Sequence, residues 1–86
     1  MEIVFSENAE KELGKIDSEL RKMFIKHSEK MLACPPKRHL RFGLPFTVEN
    51  ITKQARMVFN IEDEKIFILH CFKTHKEYEK WYNSFR

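Results

Sequence analysis

The feature that most constrains this chain lies in its last third. Gln54-Ala55-Arg56-Met57-Val58-Phe59-Asn60-Ile61 and Lys65-Ile66-Phe67-Ile68-Leu69-His70-Cys71-Phe72 are both rich in β-branched and aromatic residues. Only the acidic triplet Glu62-Asp63-Glu64 separates them, so the two runs predict a β-hairpin. Thr74-x-x-Glu77 follows at once and is a capping box that opens a helix reaching about Ser84. Ile66 through Phe72 is apolar at nearly every position, the pattern of a strand covered on both faces.

The rest of the chain fits around that unit. Glu2-Ile3-Val4-Phe5 predicts a short first strand, and Ser6 caps a helix reaching about Lys15, with Glu7 and Glu10 suited to the positive end of its dipole. Gly14 weakens the end of that helix. Asp17 or Ser18 caps a second helix, in which Leu20, Phe24, His27 and Met31 recur at helical spacing. Cys34-Pro35-Pro36 stops it, because Pro35 disfavours helical geometry at Cys34 and neither proline can donate a hydrogen bond. Arg21, Lys22, Glu29 and Lys30 fall on its solvated face. Residues 37–45 read as a basic loop or short strand with Gly43 and Pro45, Phe46 to about Ile51 as a strand, and Thr52 and Lys53 as the turn into the Arg56 strand.

The resulting order is β-α-α-β-β-β-α in a single domain over 1–86. It predicts an α+β fold: a small antiparallel sheet with the first strand added at an edge, a helical hairpin on one face and a short C-terminal helix on the other. With 42% hydrophobic and 13% aromatic residues, two glycines and three prolines, the chain is neither disordered nor fibrous. No apolar run approaches the roughly 18 residues of a membrane span, and the acidic start is unlike a signal peptide, so a cytoplasmic protein without membrane contact is expected. Cys34 and Cys71 have no paired spacing, and no CxxC or HxxxH pattern occurs; Cys71 reads as a buried free thiol and no metal site is expected.

The net charge of +3 is mild, but the cations cluster. Lys37, Arg38, His39 and Arg41 follow the proline pair, and Lys73, His75, Lys76 and Lys80 gather at the last helix. Arg56 is the one cation in an otherwise largely apolar strand. A strand guanidinium facing a helix N-terminus that carries His75, Lys76 and Tyr78 would suit a phosphodiester, because the guanidinium fork matches phosphate oxygens and the helix start favours anions. The plain alternative is a surface arginine paired with Glu49 or Glu62. His70 reads most simply as a sheet histidine. A three-residue hairpin loop would set it opposite Arg56, and a two-residue loop would put the two on opposite faces.

These residues together resemble the RelE/ParE superfamily of toxins from toxin–antitoxin pairs. Glu2-Ile3-Val4-Phe5-Ser6 with Ala9-x-x-x-Leu13 looks like the family's first strand and helix. Arg56-Met57-Val58-Phe59, the acidic turn and Lys65-Ile66 look like its "YRLVY … DEKV" hairpin. The resemblance implies a growth-arrest toxin, an mRNA endoribonuclease working on the ribosome without a metal or other cofactor. It also implies a cognate antitoxin, with the ribosome and mRNA as the other partners. The implied reaction is attack of a ribose 2′-OH on the adjacent phosphate, which calls for a base, cations and an acid.

Carried over by position, Arg56 stabilises the phosphate, Lys76 takes a cationic position and Tyr82 a C-terminal tyrosine position. Where RelE has a Tyr-Lys-x-Lys run, this chain reads Phe46-Thr47-Val48-Glu49, so Glu49 or His75 replaces the lysine base. Lys37, Arg38, Arg41, Lys53, Lys73, Lys76 and Tyr78 complete the RNA- and phosphate-binding set. ParE-like members, which poison DNA gyrase on the same scaffold, or an inactive RNA-binding relative are the alternative.

Overall fold

A computed structural model of the chain describes residues 2–34 and 46–84. The elements, in order, are β1 (Glu2–Phe5), α1 (Glu7–Gly14), α2 (Ser18–Ala33), β2 (Thr47–Asn50), β3 (Arg56–Glu62), β4 (Lys65–Phe72) and α3 (His75–Asn83).

Each helix begins on a side-chain cap. Ser6 Oγ accepts from the Ala9 N–H at 3.0 Å, Asp17 Oδ2 from Leu20 N–H at 3.3 Å and Thr74 Oγ1 from Glu77 N–H at 3.1 Å. A cap of this kind contributes about 1 kcal/mol. The Ser6 hydroxyl also donates to the Leu69 carbonyl at 2.8 Å, so the start of α1 is fastened to β4. Arg21 does more than face water, as its sequence position implied. Its Nε donates to the Leu13 carbonyl at 2.9 Å and its Nη2 to the Ile16 carbonyl at 2.8 Å. Those carbonyls lie at and just beyond the end of α1, where the regular i→i+4 ladder has run out and the Leu13 carbonyl accepts from the Ile16 N–H at 3.2 Å.

The sheet order is β1-β4-β3-β2. β2–β3 and β3–β4 are antiparallel, whereas β1 lies parallel to β4 at the edge, with Glu2 opposite Lys65 and Phe5 opposite Ile68. The sheet is therefore mixed. Only strands joined by a tight turn must run antiparallel, and β1 leaves instead into a helical hairpin. One face carries the main core: Ala9, Leu13, Ile16, Phe24 and Met31 pack on Met57, Phe59, Ile66, Ile68 and Cys71. On the other face Phe46, Val58 and Phe72 form a second cluster with Val48, Leu69, Tyr78, Trp81 and Tyr82. Coverage on both sides explains the apolar run of β4.

Two backbone features set which residues share a face. Glu62 pairs with Lys65, so the hairpin turns on two residues, Asp63 (φ 50°) and Glu64 (φ 60°), the left-handed pair that matches the twist of a tight hairpin. Next, the register shifts between Val58 and Phe59: Phe59 pairs with Ile68, but Val58 pairs with His70. Leu69 is thus an extra residue, a β-bulge. A two-residue loop alone would set His70 and Arg56 on opposite faces; the bulge returns His70 to the face of Val58 and Arg56.

Candidate functional site

Most rings of the chain's second half gather on the α3 face of the sheet, the face that Arg56 shares by its register with Phe72. Arg56 heads β3 directly opposite Phe72. Phe72 packs on Tyr78, ring centroids 6.2 Å apart, and Tyr78 stands 6.0 Å from His75 and 5.9 Å from Tyr82. Phe72 thus has Arg56 as its cross-strand partner and Tyr78 packed on it, and His75 and Tyr82 adjoin Tyr78.

Arg56 is anchored from behind. Its Nη1 donates to the backbone carbonyls of Thr52 (3.2 Å), Lys53 (3.0 Å) and Ala55 (3.1 Å), rather than to Glu49 or Glu62. The same turn is closed by Thr52 Oγ1, which accepts from the Ala55 N–H at 2.9 Å, and by the Ile51 N–H on the Ala55 carbonyl at 3.0 Å. None of the three arginine bonds uses Nε or Nη2, so the fork keeps donors for a second partner. Lys53, in the turn, is exposed.

His75 opens α3. Its Nε2 lies 3.1 Å from Glu79 Oε1, one turn along the helix, and its Nδ1 is buried without a hydrogen-bond partner. Lys76 is exposed beside it. Lys73 is also exposed and, with Glu12, Lys15, Ile16, Cys71 and Glu77, lines a cavity of about 220 Å³ at the outer side of β4. Cys71 is a buried free thiol, as its sequence context implied; burial, reinforced by the Glu12 carboxylate, pushes it up from 9.0 to about 12. Among the described residues no group of three or more His, Cys, Asp or Glu could hold a metal ion.

Glu49 is not brought to this surface. It pairs with Met57, whose side chain lies in the core beneath α1 and α2, and its carboxylate points the same way, 3.8 Å from His27 Nε2 on α2. Strand alternation separates it from Arg56, whose cross-strand partner on β2 is Asn50. Lys37, Arg38, His39 and Arg41 lie outside the described residues.

One arrangement was not legible in the sequence. His70, returned to the α3 face by the bulge, has its Nδ1 3.0 Å from Glu12 Oε2, while Glu12 Oε1 accepts the Cys71 N–H at 2.8 Å. The imidazole stacks on Phe72, centroids 5.0 Å apart and rings 11° from parallel, and meets Trp81 at 4.9 Å. It lines a second cavity of about 340 Å³ with Asn8, Phe46, Asn60 and Trp81. The only sequence signal was weak: His70 sits in an otherwise apolar run, 58 residues from the acid that holds it.

No family model and no curated protein sequence matches this chain. Solved structures do. The intact RelBE toxin–antitoxin complex of E. coli is 25% identical, with 84% of this chain and 94% of that chain covered at a TM-score of 0.68. A YoeB/ParE toxin from Agrobacterium tumefaciens is 12% identical, with 84% and 96% covered at 0.68. The heterotetrameric YoeB–YefM toxin–antitoxin complex of Staphylococcus aureus is 18% identical, with 81% and 92% covered at 0.64. Strand order, helix placement and this likeness over most of each chain agree: the protein has the fold of the RelE/ParE-like toxin superfamily.

Proposed function

We propose that this chain is the toxin of a toxin–antitoxin pair and that it is an endoribonuclease cutting mRNA on the ribosome in the cytoplasm. The observation that carries the reading is Arg56: a guanidinium fixed by three carbonyls, with donors left over, on a residue that pairs across the sheet with Phe72, the ring on which Tyr78 of α3 packs. In the reaction, a ribose 2′-OH attacks the neighbouring phosphate. Arg56 stabilises the added negative charge on the phosphate oxygens, Lys53, Lys73 and Lys76 hold flanking phosphates, and Tyr78 and Tyr82 contact the strand by stacking. Glu49, facing α2, takes no part. An antitoxin partner is supported by the solved neighbours, which include toxins described in complex with their antitoxins.

The test is 5′-end mapping of mRNA in a translating extract, with the wild-type chain and with Arg56→Ala. Wild type should generate new ends inside translated codons. Arg56→Ala should lower that cleavage by about 10²–10³-fold, the usual effect of removing one group that stabilises an oxyanion. Intact mRNA together with persistent DNA breaks in arrested cells would move the assignment to a ParE-like poison of gyrase.

A further inference from the structure

The paired Glu12 and His70 have the geometry of a proton-transfer couple, which 2′-OH attack requires; of the two bases the sequence offered, Glu49 faces α2 and His75 has its Nε2 engaged by Glu79 and its Nδ1 buried. β1 ends opposite Ile68, so beyond Leu69 the outer edge of β4 has no strand beside it. Glu12 fills that gap. One carboxylate oxygen is fixed by the Cys71 N–H, which leaves the other to accept from Nδ1–H of His70. A neutral imidazole that donates from Nδ1 carries its lone pair on Nε2. Stacking on Phe72 and contact with Trp81 hold the ring in that orientation. A carboxylate that orients an imidazole is how proton acceptors are held in unrelated hydrolases, and Glu12 is part-buried in that role.

The positions along the sheet are ordered for a nucleotide. Asn60, His70 (opposite Val58) and Arg56 occur in that sequence on the α3 face. The cavity of about 340 Å³ lies on the Asn60 side of His70, with Phe46 and Trp81 among its walls. Asn60 Oδ1 is buried there without a hydrogen-bond partner, an acceptor suited to an amino group. Arg56 lies on the other side, a diagonal cross-strand neighbour about 7–8 Å away by backbone spacing.

The geometry points to His70, oriented by Glu12, as the proton acceptor for the ribose 2′-OH of an RNA strand whose base sits in the Asn60–Trp81 cavity and whose phosphate sits at Arg56. This rests on the endoribonuclease reading above. His70 Nε2 takes the 2′-OH proton, the O2′–P bond forms, the P–O5′ bond breaks, and the 5′-oxygen leaves with a proton from water. The products are a 2′,3′-cyclic phosphate and a 5′-hydroxyl. Glu12 touches no substrate and is a positioning residue.

Single-turnover cleavage of ribosome-bound mRNA is compared for wild type, Arg56→Ala, His70→Asn and Glu12→Gln, with imidazole ¹⁵N NMR on the free proteins. His70→Asn should lower the rate by about 10²–10⁴-fold with ribosome binding unchanged. In Glu12→Gln the amide oxygen can still accept the Cys71 N–H, but its NH₂ must face Nδ1. The NMR should therefore show the proton moved to Nε2, and the rate should fall with it. A purely structural pair would show the same tautomer change with no loss of rate. Cleavage by His70→Asn within about threefold of wild type while Arg56→Ala is dead overturns the assignment and leaves the nuclease reading intact. A wild-type chain that cuts no codon overturns both.

Discussion

Replacing Arg56 should do two separable things. Its Nη1 carries two hydrogens shared among three carbonyls of the 52–55 turn, so at most two good bonds form at once. The arginine is half-buried, and each such bond contributes about 0.5–1.5 kcal/mol net, so Arg56→Ala should cost about 1–3 kcal/mol of stability. For a domain of this size that lowers the melting temperature by roughly 4–24 °C. Arg56→Lys keeps the charge but cannot span three carbonyls, so it should lose much of the same stability. Thermal melts followed by far-UV circular dichroism measure this, and mRNA cleavage below both melting temperatures measures activity. The reasoning predicts two losses of different kinds: a modest one in stability for both variants, and a large one in cleavage for alanine. An alanine variant that melts with wild type would mean the turn does not need the guanidinium. One that melts lower but cuts normally would remove Arg56 from phosphate binding.

Four further outcomes are expected. Arg21→Ala should reduce stability by about 1–2 kcal/mol in urea titrations, because two carbonyls at the end of α1 lose a charged donor, and Arg21→Lys should recover only part of it. Glu64→Gly should raise stability by a few tenths to about 1 kcal/mol, since φ of 60° costs less for glycine, offset in part by glycine's freer unfolded chain; an unchanged or lower urea midpoint would count against the turn assignment. Exposed Cys34 should react promptly with a thiol reagent at pH 8 while buried Cys71 reacts only on unfolding. Because the Cys71 thiol is raised in the folded state, the native protein holds its proton more tightly, and stability should decline as pH climbs from 9.0 towards about 12.

The outline of this fold is written locally, and its registers are not. Ser6, Asp17 and Thr74 announce helix starts because a cap is a contact between near neighbours. The limits of β1, α2 and β4 follow from equally short-range signals. What sets the candidate site is long-range. The bulge at Leu69 decides the face of His70, yet no residue type around it demands an extra residue there. Glu49 could be assigned to the wrong side because β2 is a short edge strand whose alternation, Phe46 and Val48 against Thr47 and Glu49, is weak. Arg21 looked like one more solvated cation; its value depends on where α1 ends, which Gly14 leaves ambiguous in sequence.

The place of β1 has a consequence for how this molecule comes into being. Its neighbour is not synthesised until some sixty residues later, with Glu2 waiting for Lys65 and Glu12 for His70. Contacts at that separation form late, after the nearby hairpin has closed. An emerging chain therefore cannot assemble the Glu12–His70 couple while its C-terminal half is still inside the ribosome that made it. Production of the chain and closure of that long-range pairing are thereby kept apart in time.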